Sequence, residues 1–132
     1  MNVLFICKWN RFRSKVAEAY FNERIKGSAH KAKSAGFIYN LPISKEIFDI
    51  TKKAGLNITS TPVGLDLELL RWADEIIITA DDVPPYIFDE KEIINRKITV
   101  WEFKDEDESD EAGQLKLVEA IKKKIDEFVR EF

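Results

Sequence analysis

Val3-Leu4-Phe5-Ile6-Cys7-Lys8-Trp9-Asn10-Arg11-Phe12-Arg13-Ser14-Lys15-Val16-Ala17-Glu18 is the stretch around which the rest of the chain is organised. The apolar run Val3 to Ile6 has no polar alternation, which predicts a central strand buried on both faces. It ends in Cys7. A short polar, basic and aromatic segment follows, and then an amphipathic helix opens. A strand running through a loop into a helix start is an anion-binding arrangement, because loop amides and the unpaired N–H groups of the first helical turn converge. Arg13 adds a planar, two-pronged grip suited to phosphate. Cys7 lies at the floor, where the helix dipole and Arg13 favour a thiolate. The spacing Cys-x5-Arg-Ser closes a loop of this size around one tetrahedral oxyanion, so the stretch reads as a phosphate cradle that contains its own nucleophile.

With its surroundings, that spacing resembles the low-molecular-weight protein tyrosine phosphatases, whose signature is an apolar strand, Cys-x-Gly-Asn-x-Cys-Arg-Ser, and a helix beginning near Ala-Glu-Ala. Cys7, Asn10, Arg13, Ser14 and Ala17-Glu18-Ala19 match it. Trp9 stands where the family has Gly, Phe12 where it has a second Cys, and Lys15 where it usually has Pro.

Outward from the motif, the 132 residues suit one domain, residues 1–132, able to bury roughly 65–70% of its unfolded surface. Apolar residues make up 45% and charged residues 34%, the balance of a globular chain, and the net charge of −3 gives no reason to expect nucleic acid. The apolar start runs straight into the motif, so no targeting segment and no membrane partner are expected. One Cys and one His exclude an internal disulfide and a Cys/His zinc site. A lone nucleophilic thiol suits a reducing cytoplasm. No metal and no cofactor are expected.

The remaining pattern predicts a helix over 14–26, with a stripe at Val16, Ala17, Tyr20, Phe21 and Ile25 and a stop at Gly27. A marginal strand follows over 30–37, through Ser34-Ala35-Gly36, a turn the family also carries. A helix over 44–54 starts on Ser44 as N-cap and stops at Gly55. Asp66 caps a short helix through Leu70 and Trp72. Ile76-Ile77-Ile78 is a buried strand, and Pro84-Pro85 opens a short helix over 83–92. A strand over 98–103 and a helix over 114–130, with the cleanest apolar period in the chain, complete the series. Strands alternating with helices predict an α/β fold: a four-stranded parallel sheet with helices on both faces. In such sheets ligands bind beyond the strand C-termini. Cys7, Ser34, Thr79–Asp82 and Asp105 all fall there.

Each site residue also has an ordinary reading. A lone Cys ending a strand is usually core, yet the Arg13-Ser14 context favours a nucleophile. Arg13 at a helix N-terminus is electrostatically unfavourable unless an anion joins it. Ser14 is by default an N-cap; in the family the matching hydroxyl donates to the nucleophilic sulfur. Resemblance implies that Asn10 adopts a left-handed backbone and bonds to Ser34, keeping the loop amides converged. The family's general acid lies in an Asp-Pro-aromatic segment after the last strand. Here that place holds a run of carboxylates from Asp105 to Glu111 without Pro. Asp105 sits best, with Asp107 as rival, although a charge run is usually a solvated loop. Tyr39, Trp9 and Tyr86 are candidate pocket walls, with ordinary packing as the alternative. Lys8, Arg11, Phe12 and Lys15 complete the loop and its rim; Lys8, Arg11 and Lys15 would make the mouth basic. His30 looks incidental, and Lys122–Lys124 belong to an outer helix face.

The resemblance implies a cysteine-dependent phosphatase acting on a phosphorylated protein or a small phosphate ester. Two other readings stay open: arsenate reduction, which with a single Cys would need an external thiol, and a phosphate-binding module without turnover.

Overall fold

The computed structural model describes residues 1–38, 41–59, 61–84 and 96–132. Strand β1 (Asn2–Cys7) is followed by α1 (Arg13–Arg24), β2 (Lys31–Gly36), α2 (Lys45–Lys53), α3 (Leu67–Trp72), β3 (Glu75–Ile78), β4 (Lys97–Val100) and α4 (Glu111–Val129). All strand pairs are parallel, in the order β2-β1-β3-β4. The predicted four-stranded parallel α/β sheet is therefore the observed one. Its register sets Phe5 beside Ser34, Cys7 beside Gly36 and Ile6 beside Ile78, which brings the strand C-termini to one edge.

The unbroken apolar run of β1 serves two cores. Val3 and Phe5, with Ile77, pack under Val16 and Phe21 of α1, Ile47 and Ile50 of α2, and Val118, Ile121 and Ile125 of α4. Leu4 and Ile6, with Ile76 and Ile78, pack on the opposite face under Leu70 and Ala73. Each fully buried side chain of this size contributes about 1.5–3 kcal/mol, so β1 is the costliest strand to disturb. Among the described residues no helix is long and apolar enough to cross a membrane.

Ser44 and Asp66 cap their helices as expected, accepting from the N–H groups of Ile47 and Leu69. Several boundaries differ from the pattern reading, and three of the differences shape the site. Strand β4 stops at Val100: Trp101 N–H still donates to Ile78, but Phe103 N–H turns back to the Trp101 carbonyl and takes the chain off the sheet. Helix α4 starts at Glu111, because Asp110, hidden in the acidic run, caps it by accepting from Gly113 N–H. Ser14 caps nothing: the N-cap of α1 is Phe12, with no side-chain cap bond. The helix expected over 83–92 falls almost entirely outside the described residues, as do Tyr39 and Tyr86.

Candidate active site

The segment between β1 and α1 is held from behind by side chains. Asn10 has φ of 53° and is completely buried, the left-handed conformation that Asn tolerates better than most residues. Its Oδ1 accepts from Val63 N–H at 2.7 Å, so its Nδ2 carries both protons. One goes to Ser14 Oγ at 2.8 Å and the other to Ser34 Oγ at 2.9 Å. Each hydroxyl, already accepting from Asn10, has its own proton to give elsewhere. Ser34 gives it to Glu18 Oε1 at 2.8 Å. Ser14 lies 2.9 Å from Cys7 Sγ; with Asn10 on one of its lone pairs it keeps its own proton free for the sulfur, and it is the donor whenever the sulfur is a thiolate, which has no proton to give. Gly36 closes the cradle: a Cβ there would sit 2.9 Å from Asn10 N and 2.5 Å from the Ile38 carbonyl oxygen.

Lys15 departs from expectation. It does not belong to a basic mouth. It is 1% exposed and donates to Thr59 Oγ1 and, at 2.7 Å, to the Thr61 carbonyl, behind the loop. Burial pushes its pKa down, opposed by the negative charge of Glu18 and then Cys7. Burial likewise pushes Glu18 up, against the hydrogen bond from Ser34 and the charge of Lys15.

On the front, Cys7, Trp9, Arg11, Arg13, Asp105 and Gln114 border one cavity. Arg13, 2% exposed, donates from Nη1 to the Phe103 carbonyl at 3.0 Å and from Nη2 to Asp82, with Nη2–Oδ1 at 3.1 Å. Asp81 lies 3.7 Å from Nη1, and Asp105 Oδ1 4.0 Å from Nε. The guanidinium therefore holds a carboxylate where the cradle would present it to a phosphate. The early end of β4 is what delivers Phe103 and Asp105 to this place.

Arg11 donates from Nε to the Pro42 carbonyl and pairs with Glu108 at 2.6 Å. Lys8 lies with its Nζ 5.7 Å from the Trp9 ring centroid. Phe12 is buried in the core beneath α1 and also borders the cavity. Asp107 does not: its carboxylate accepts from the hydroxyl and N–H of Ser109, bonds that lower its pKa. Sequence reasoning placed Thr79–Asp82 at this edge but assigned Asp82 no partner. It passed over Glu18, which it met only as part of Ala-Glu-Ala, and Gln114, for which no local signal exists.

Residues 2–131 match the family described as low molecular weight phosphotyrosine protein phosphatase. No curated protein matches significantly. Among solved structures, the chain is similar to a low molecular weight protein tyrosine phosphatase from T. tengcongensis. That match has 28% identity and a TM-score of 0.85, covering 100% of this chain and 99% of that one. It is also similar to a thioredoxin-dependent arsenate reductase from Corynebacterium glutamicum, at 27% identity and a TM-score of 0.74. There the match covers 98% of this chain, which spans only 60% of that protein's length. An arsenate reductase from Archaeoglobus fulgidus shares the fold at 24% identity and a TM-score of 0.74, covering 96% of this chain and 98% of that one. The chain belongs to the low molecular weight phosphotyrosine protein phosphatase family.

Proposed function

We propose that the chain is a cysteine-dependent phosphatase, one catalytic domain over residues 1–132, hydrolysing phosphotyrosine-type monoesters of a protein or a small molecule in a reducing compartment such as the cytoplasm. The observation that carries this reading is the Asn10–Ser14–Cys7 chain of contacts, which leaves the Ser14 proton free for a Cys7 thiolate within the cavity that Arg13 and Asp105 border.

In the first step Cys7 Sγ attacks phosphorus in line. The P–O bond to the leaving group breaks as Asp105 gives that oxygen its proton. Arg13 exchanges Asp82 for the equatorial phosphoryl oxygens, helped by amides of Lys8–Phe12 and of the uncapped start of α1. Water then attacks the cysteinyl-phosphate, Asp105 takes its proton, and the P–S electron pair returns to sulfur, where Ser14 receives it. Asp105 suits the acid better than Asp107, whose carboxylate is tied to Ser109 and held ionised. Asn10 and Ser34 keep the loop in shape, and Trp9, Arg11 and Tyr39 are the pocket residues of this reading.

Turnover of an aryl phosphate, with radiolabelled phosphate trapped on Cys7, tests it. Turnover lost in Cys7→Ser supports the assignment. Arsenate reduction supported by an added thiol, without aryl phosphate turnover, would replace it; the resemblance to arsenate reductases favours that second reading, and one Cys restricts it to an external thiol. Tight phosphate binding with neither activity would leave only a binding module.

A further inference from the structure

Gln114 lies in the first turn of α4, just past the Asp110 cap. It is 2% exposed and borders the same cavity as Cys7, Arg13 and Asp105. Its Nε2 donates to the Glu106 carbonyl at 3.3 Å, which fixes the amide: the nitrogen faces the acidic loop, and Oε1 is the other end. Among the described residues that buried Oε1 has no hydrogen-bond partner. Buried acceptors without donors are rare and costly. The positions that follow inward along α4, Leu117, Val118 and Ile121, are apolar, so a hydrophobic residue would fill position 114 without that cost. A glutamine here is explained by a donor that arrives with the reaction.

The chemistry names the donor. A phosphoryl dianion brings no proton, and the sulfur brings none in its reactive form. The leaving phenol acquires one only as it departs. The attacking water has two. One goes to Asp105 as the new P–O bond forms, and the second needs an acceptor that aims the oxygen lone pair at phosphorus. The cavity, at about 40 Å³, exceeds the ~10–15 Å³ that one water requires.

We propose that Gln114 is the water-positioning residue of the second half-reaction, its Oε1 accepting one proton of the water that hydrolyses the cysteinyl-phosphate. Water oxygen bonds to phosphorus, the P–S bond breaks with its electron pair returning to Cys7, one water proton passes to Asp105, and the other stays on the product phosphate, released from Gln114. This rests on the phosphatase reading above.

Quench-flow measurement of phosphoenzyme formation and decay, with a radiolabelled aryl phosphate, separates the two half-reactions. In Gln114→Met, formation should stay within about twofold of wild type. Decay should slow about tenfold, the scale of one lost hydrogen bond, so the phosphoenzyme accumulates. Gln114→Glu, which keeps an acceptor at the same reach, should restore decay to within about threefold. Gln114→Ala reports the same decay where Gln114→Met does not fold. Decay unchanged in the apolar variants, or formation and decay slowed together, overturns the assignment and leaves the phosphatase reading standing. A wild-type protein that forms no phosphoenzyme overturns both.

Discussion

The two sides of the loop after β1 are built on different principles. Behind it, the buried Asn10, Ser14, Ser34 and Lys15 and the partly buried Glu18 form a set in which each donor meets an acceptor. In front, Arg11 and Glu108 meet as a partly exposed ion pair across the rim, and the exposed Asp105 lies 4.0 Å from the buried Arg13. Breaking one buried hydrogen bond costs about 1–3 kcal/mol, whereas an exposed ion pair contributes about 0–1 kcal/mol. The back therefore fixes the shape of the cradle, and the front is free to be reshaped for a substrate. A domain of this size holds a margin of only about 5–15 kcal/mol, so changes behind the loop should be felt in folding and those in front only in turnover.

The largest effect falls where the two sides meet. Cys7→Ser should abolish turnover of an aryl phosphate while retaining oxyanion binding, since the grip is made by amides and Arg13. Residual activity within about tenfold of wild type, a barrier change of only ~1.4 kcal/mol, would deny the sulfur its role.

Next is the back. Asn10→Ala leaves Ser14, Ser34 and Val63 N–H each short of a partner and forces a Cβ-bearing residue without Asn's tolerance into φ of 53°. A loss of roughly 2–4 kcal/mol in urea denaturation is expected. Asn10→Gly relieves the backbone but not the bonds, so it should recover about 1 kcal/mol at most. Full recovery would show that conformation, not bonding, is what Asn10 supplies.

Lys15→Met sharpens the same point through pH. The folded Glu18 carboxyl is raised, so its contribution to stability is present below 4.5 and lost as pH rises through the raised value. Lys15 is lowered, so its contribution is present above 10.5 and lost as pH falls through the lowered value. Removing the ammonium deprives Glu18 of a charge that holds its pKa down. As pH rises from 4.5 through the raised Glu18 value, the variant should therefore lose more stability than wild type. Parallel thermal-midpoint profiles would place Lys15 outside this network.

In front, Asp82→Asn removes the carboxylate that Arg13 now holds. Phosphate, measured as a competitive inhibitor, should bind about fivefold tighter, the ~1 kcal/mol of a partly exposed pair. Weaker binding would mean that Asp82 orients Arg13 rather than competing for it. Smallest of all is Arg11→Ala, which frees Glu108: the preference among phosphopeptides of different flanking charge should flatten by a fewfold, chiefly below ~0.1 M salt. Aryl phosphate hydrolysis should change less. Equal loss on both substrates would put Arg11 inside the cradle.

What was legible in the sequence follows from how local the physics is. The apolar runs of β1 and β3, the stripe of α4 and the caps Ser44 and Asp66 are neighbours' effects, and they were read correctly. The compact spacing Cys7-x5-Arg13-Ser14 points to the loop after β1, and the family resemblance implies the left-handed Asn10 and its bond to Ser34, both of which the structure contains. Lys15 was misplaced because charge alone suggests solvent, while its partners Thr59 and Thr61 are more than forty residues away in the chain. The end of β4 was overrun because Trp101 and Phe103 look like strand residues; what stops the strand is a backbone bond between them. Gln114 reads as an ordinary helix residue until the fold sets it beside Cys7.

Phe12 carries a consequence of another kind. By filling the core where relatives carry a second thiol, it leaves oxidised Cys7 without a nearby sulfur to form a protective disulfide. Excess peroxide, with no external thiol to cap the sulfenic acid, is then expected to carry it on to the sulfinic state, from which ordinary thiols do not return it. Each molecule so modified is withdrawn for the rest of its life. The activity remaining in a population would therefore record the oxidant met since synthesis rather than the oxidant present, and new protein made by the ribosome would be what resets it.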